Sequence, residues 1–115
     1  MNDTTPTKSI ALVTGARGGI GRQVVAQLRA SGHRVAAVGR DAEALATVSA
    51  DAHIVADSTT PEGAVAAVAA CKDQLGGAPS LLAHCVGSTL IAPLHRSSAA
   101  QIREVLRINL DSALY

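Results

Sequence analysis

Short apolar runs along this chain alternate with segments whose apolar side chains recur every three or four positions, and the alternation repeats four times. Ser9 to Thr14 (SIALVT) is apolar and ends at a Gly-rich turn, which predicts a strand buried on both faces. A helix is expected from about Gly19, with Ile20, Val24 and Leu28 at intervals of four and Gly32 at its C-terminal stop. Arg34 to Val38 predicts the second strand. Asp41 suits the N-cap of a helix running through Leu45 and Val48, and His53 to Ala56 predicts a third strand. Thr60-Pro61-Glu62 is a helix start: a capping hydroxyl, a proline at the first helical position, and a carboxylate at the positive end of the helix dipole. That helix is expected to bury Val65, Val68 and Leu75 and to stop at Gly76-Gly77. Leu81 to Val86 predicts a fourth buried strand. A last helix from Ser97 or Ser98 places Ile102, Val105, Leu106 and Asn109 on one face, so that Asn109 should point inward. Four strand–helix units predict a parallel sheet covered on both sides, the doubly wound α/β class.

Composition narrows this picture. With 115 residues and 48% hydrophobic content, the chain builds one domain, expected over residues 9–115 behind a polar tail at 1–8. Ten Lys+Arg against nine Asp+Glu leave no basic patch for nucleic acid or an anionic membrane. No run approaches the ~18 apolar residues of a membrane span, and no secretory leader is visible, so a soluble, cytoplasmic protein is expected. Two cysteines, Cys71 and Cys85, fit reduced thiols. Together with His84 and His95 they show no metal-ligand spacing, and no metal is expected. Alanine fills 23 positions, Phe and Trp are absent, and Tyr115 is the only aromatic residue. Small side chains must therefore make the core, and no aromatic platform exists for stacking bases.

Chemistry concentrates between the first strand and the first helix, in Thr14-Gly15-Ala16-Arg17-Gly18-Gly19-Ile20-Gly21. Glycines there let the backbone turn sharply and approach a pyrophosphate, while the helix N-terminus offers free N–H groups and positive potential. The motif T-G-x-x-x-G-x-G resembles the cofactor loop of the short-chain dehydrogenase/reductase family, and the same residues also fit the T-G-x-x-G-x-x-G of its extended branch. The resemblance implies a Rossmann-type sheet, here four strands of an incomplete three-layer α/β/α domain. It also implies that Thr14, Gly15, Arg17, Gly18, Gly19, Ile20 and Gly21 form the dinucleotide loop. Leu81 to Gly87 stands where the family has N-N-A-G. Only Gly87 matches by identity, and Cys85 and Gly87 are expected to keep backbone contacts to the cofactor. Asp57-Ser58 resembles the family's acceptor for the adenine amino group. Asn109 looks like the asparagine that orders the proton-relay water in that family and is the one expected catalytic residue. After the second strand, Arg40 stands where an arginine accommodates the 2′-phosphate of NADP and an acid would bond the ribose of NAD; Asp41 follows it and suits either a ribose contact or a helix cap. NADP is the expected cofactor, ahead of NAD.

The family's catalytic serine and Tyr-x-x-x-Lys are not among these residues, and Tyr115 has no lysine four positions on. The chain is therefore expected to be the cofactor-binding half of an NADP-dependent oxidoreductase, inactive alone, in which hydride passes between NADP(H) and a small-molecule carbonyl or alcohol substrate. A homo-oligomer through the last helix, with Ile108, Leu110 and Leu114 outward, goes with that expectation. Two alternatives stay open: a non-catalytic nucleotide-binding module, and a sugar-nucleotide epimerase or dehydratase of the extended branch.

Overall fold

A computed structural model describes residues 8–115; seven of the eight residues of the expected polar tail lie outside the described residues. The four strands are β1 (Ile10–Thr14), β2 (Arg34–Gly39), β3 (Ala52–Val55) and β4 (Leu81–His84). They form one parallel sheet in the order β3-β2-β1-β4. Three helices connect them: α1 (Gly19–Ala30), α2 (Ala42–Ala46) and α3 (Pro61–Leu75). After a 3-10 turn at Leu94–Arg96, α4 (Ala99–Leu106) runs into a π-helical turn, Arg107–Asp111, and a final turn, α5 (Ser112–Leu114). This is the expected doubly wound architecture.

Alternation along β1 divides the core. Ala11 and Val13 pack with Val25 of α1 and with Leu45 and Val48 on one face, while Leu12 packs with Ala67, Cys71 and Leu75 of α3 on the other. Capping follows the expected chemistry: the Asp41 carboxylate accepts from the N–H groups of Glu43 and Ala44, Thr60 Oγ1 accepts from Gly63 N, and Ser98 with Gln101 forms a capping box.

Several expectations are corrected. α2 stops at Ala46, because the Thr47 hydroxyl donates to Ala44 O at 2.6 Å and Arg22 donates to Thr47 Oγ1, ending the helix before Val48. β3 begins and ends one residue early. On α3 the buried stripe is Ala67, Cys71 and Leu75, whereas Val65 is 70% and Val68 38% exposed. An alanine-rich helix is apolar all round, and its small side chains allow the closest approach to the sheet, so the larger valines do not mark the inner face. Ile20 faces outward for a related reason: α1 docks through Gly21 and Val25. β4 is shorter than expected and is not buried on both faces. It is a sheet edge, and Leu82 is 62% exposed. Finally, Ile102, Leu106 and Asn109 are exposed. Little packs on this face of α4, so it stays open to solvent, although Asn109 still turns its side chain onto the loop after β4.

Candidate functional site

The sheet order reverses between β1 and β4, and a cleft of about 410 Å³ opens beyond the C-terminal ends of the strands. Each strand contributes to its wall. Gly15, Arg17 and Gly18 follow β1; Gly39 and Arg40 come from the end of β2; Ala56 to Thr59 follow β3; and Cys85 to Ser88 follow β4. Ile108 of the π-helical turn closes one side.

The glycine loop is shaped by contact with its own chain. Gly15 has φ +63, and a Cβ there would come within 2.6 Å of the Cys85 carbonyl carbon. A Cβ on Gly21 would strike the Gly15 carbonyl oxygen and stand 2.9 Å from Ala16 Cα, so only glycine lets α1 pass this close beneath the loop. Gly19 differs. It is exposed, and a Cβ there would meet nothing within 4 Å, so the fold itself does not require glycine at that position. α1 has no side-chain cap at Gly18, which leaves its first-turn N–H groups beside the cleft. Arg22 holds the loop from behind, donating from Nε to Arg17 O at 3.0 Å. Among the described residues, neither Arg17 nor Arg40 takes part in an ion pair.

Asp57 is the acidic group of the cleft. The Thr59 hydroxyl, donating to Oδ1 at 2.5 Å, is the main cause that holds its carboxyl below the usual aspartate range. Partial burial opposes this, and the Thr59 backbone N–H, Arg40 and Arg107 reinforce it. A depressed value means that the ionised form is favoured by folding, so the contribution is present above the ordinary aspartate range and is lost as pH falls below it. Replacing Thr59 by Val should therefore raise the Asp57 titration midpoint towards the ordinary value, which carboxyl carbon shifts recorded between pH 2 and pH 6 would read.

Asn109 spends its side chain on the loop after β4. Oδ1 accepts from Ser88 N at 3.1 Å, and Nδ2 donates to Ser88 O and Val105 O, each at 2.9 Å. This two-point grip fixes the loop that carries Gly87. His84 makes a second tie. Its Nδ1 lies 2.7 Å from Thr14 Oγ1 and its Nε2 lies 3.1 Å from Ser112 Oγ. The Ser112 hydroxyl donates to Ile108 O, so it can only accept from His84; Nε2 thus carries the proton, and the Thr14 hydroxyl donates to Nδ1. Burial pushes the thiols of Cys85 and Cys71 up, and both are neutral near pH 7.

Of the residues expected at the site, Gly15, Arg17, Gly18, Arg40, Asp57, Ser58, Cys85 and Gly87 line the cleft together. Thr14 lies buried behind it, bonded to His84, and Gly21 lies beneath the loop. Gly19 and Ile20 lie one and two residues beyond Gly18 on the exposed first turn of α1, and Asn109 holds the rim through Ser88. Sequence reasoning missed Thr59, Ser88, Ile108 and Arg107. The Asp57-Ser58-Thr59 spacing, suited to a side chain accepting from the backbone two residues on, could have revealed Thr59. Arg107 reaches the site from 48 residues away and has no local signature.

The sequence model of the short chain dehydrogenases matches residues 9–115, from one residue before β1 to the end of the chain. The chain belongs to the short-chain dehydrogenase/reductase family. A 2-dehydro-3-deoxy-L-rhamnonate dehydrogenase (NAD(+)) from Sphingomonas sp. (strain SKA58) is 32% identical over 109 residues, covering 91% of this chain and 44% of that protein. Solved structures agree. A short-chain type dehydrogenase/reductase from Mycobacterium ulcerans superposes with a TM-score of 0.82 at 28% identity, over 93% of this chain and 43% of that one. An actinorhodin polyketide ketoreductase, the F189W form with NADPH, superposes with a TM-score of 0.85 at 25% identity, over 93% and 44%. The chain thus spans less than half the length of these short-chain dehydrogenase/reductase relatives.

Proposed function

We propose that this chain is the NADP-binding half of an oxidoreductase acting on a small carbonyl or alcohol. Bound NADP(H) would supply a hydride acceptor or donor at its nicotinamide. One observation carries the reading: Arg17 and Arg40, without ion-pair partners among the described residues, line a cleft floored by the glycine loop, while the neighbouring Asp41 is turned away to cap α2. Two guanidinium groups suit a ribose phosphate, and no carboxylate at that position competes for a ribose hydroxyl. The uncapped N-terminus of α1 and the bare backbone at Gly18 and Gly19 would hold the pyrophosphate. Asp57, kept ionised, would accept from the adenine amino group, with Ser58 beside it. Cys85 and Gly87 would contribute backbone from the opposite wall, where Gly15 already rests on the Cys85 carbonyl. Asn109 would act by holding the Ser88 loop and so the rim where the nicotinamide end lies.

The relatives carry both cofactor types in their names, NAD(+) for the rhamnonate-type dehydrogenase and NADPH for the ketoreductase, and the two arginines support the NADP reading for this chain. Arg40→Ala should weaken NADPH binding by about tenfold or more and leave NADH binding nearly unchanged. Calorimetric titration of both nucleotides against both proteins tests this, and an unchanged NADPH affinity removes Arg40 from the site. Of the residues expected to face a second subunit, Leu110 and Leu114 are at least half exposed and would form such a face, whereas Ile108 lines the cleft instead.

A further inference from the structure

Arg107 opens the π-helical turn, outside the cleft lining, yet it donates three hydrogen bonds, one of them to a residue that lines the cleft. Its Nε and Nη2 groups donate to the two carboxylate oxygens of Glu104, at 2.9 and 2.5 Å, a fork that fixes the guanidinium plane. With the plane fixed, Nη1 donates to Thr59 Oγ1. Thr59 is only 6% exposed, and its hydroxyl has a single proton. Because Arg107 meets the oxygen as a donor, that proton is directed at Asp57 Oδ1, 2.5 Å away, which also accepts from Thr59 N at 2.9 Å. The chain of donors runs one way, from Arg107 through Thr59 to Asp57. It leaves Asp57 Oδ2 with no hydrogen bond among the described residues, the nearest cationic nitrogen being Arg107 Nη1 at 3.9 Å. An ionised carboxylate oxygen can only accept, so a ligand group meeting it must be a donor.

We propose that Arg107 is a positioning residue for the base end of the cleft, setting the Asp57 carboxylate through Thr59 so that it selects a nucleobase bearing an amino group over one bearing a carbonyl. This rests on the nucleotide reading above. Half-exposed ion pairs such as Arg107–Glu104 add little to stability, so the role shows in base selection and not in the melting temperature.

The test compares NADPH with its hypoxanthine analogue, in which the adenine 6-amino group is replaced by oxygen, in calorimetric titrations of wild type, Arg107→Met, Thr59→Val and the double variant. Wild type should prefer NADPH by about tenfold or more. Arg107→Met should abolish that preference by weakening NADPH alone, Thr59→Val should do the same, and the double variant should lose nothing further, as expected of residues acting in series. Thr59→Val keeps the side-chain shape and decides the matter if Arg107→Met does not fold by circular dichroism. If either folded variant keeps the wild-type preference, the positioning role is overturned and the nucleotide reading stands. Equal binding of the two nucleotides to wild type overturns the base contact at Asp57 and the role of Arg107 with it, and no binding of either overturns both readings.

Discussion

Gly21→Ala should unfold or severely weaken the protein, costing about 3 kcal/mol or more, while Gly19→Ala, two residues away in the same motif, should stabilise it by about 0.5–1 kcal/mol. The difference lies in what an added methyl would meet. At Gly21 it strikes the Gly15 carbonyl and presses on Ala16 Cα at 2.9 Å, both of them backbone, so relief requires α1 to move off the sheet. That movement should also open the contact of Gly15 with the Cys85 carbonyl, so the loop would lose two of its supports. At Gly19 nothing lies within 4 Å, and alanine simply has the better helix propensity. The same Gly19→Ala change should nevertheless lower NADPH affinity, since the Cβ would intrude where a pyrophosphate approaches the α1 N-terminus. Thermal denaturation and nucleotide titration of the two variants give four outcomes. A stabilised Gly19→Ala protein that binds NADPH as well as wild type would show that this glycine serves no ligand.

His84→Leu is expected to cost about 2–3 kcal/mol, and His84→Asn noticeably less. The Thr14 hydroxyl is 5% exposed and donates to His84 Nδ1; with leucine opposite it keeps no partner, and an unsatisfied buried polar group costs about 1–3 kcal/mol. Ser112, 6% exposed, loses the donor from Nε2 at the same time. Asparagine offers an acceptor for one neighbour and a donor for the other from a shorter side chain. Because Ser112 sits just past the turn bearing Arg107 and Asn109, the leucine variant should also loosen that segment. Faster amide exchange over residues 105–112, with α1 unaffected, would be the signature, whereas uniform exchange changes would mean that the tie is merely one more core contact.

The order of strands and helices was legible because small apolar runs bounded by glycines and capping residues leave few alternatives; Asp41 and Thr60 cap as expected, and the last helix starts at Ser98, one of its two expected starts. The faces were less legible. In α3, alanine on every side hides the direction of burial, so the valines misled, and Ile20 did the same on α1. At the site, the glycine loop, Arg40 and Asp57 could be named because local motifs carry them. The ties from His84 to Ser112 and from Arg107 to Thr59 join residues 28 and 48 positions apart, which no local pattern encodes. The face of α4 expected to be buried stays open because little packs on Ile102 and Leu106, while Asn109 finds its partners in the Ser88 backbone.

Tyr115 ends the chain 57% exposed, beside Ala64, Val65, Val68 and Ala69 of α3, and the protein holds no tryptophan or phenylalanine. Near-ultraviolet absorption and intrinsic emission therefore come from a single ring, located where the last helical segment meets α3. Tyrosine emission is a one-site gauge of that docking and is silent about the sheet. A bound reduced nicotinamide could be excited without a protein fluorophore in the core to confuse its signal, so the terminus and the nucleotide can be watched independently in one cuvette.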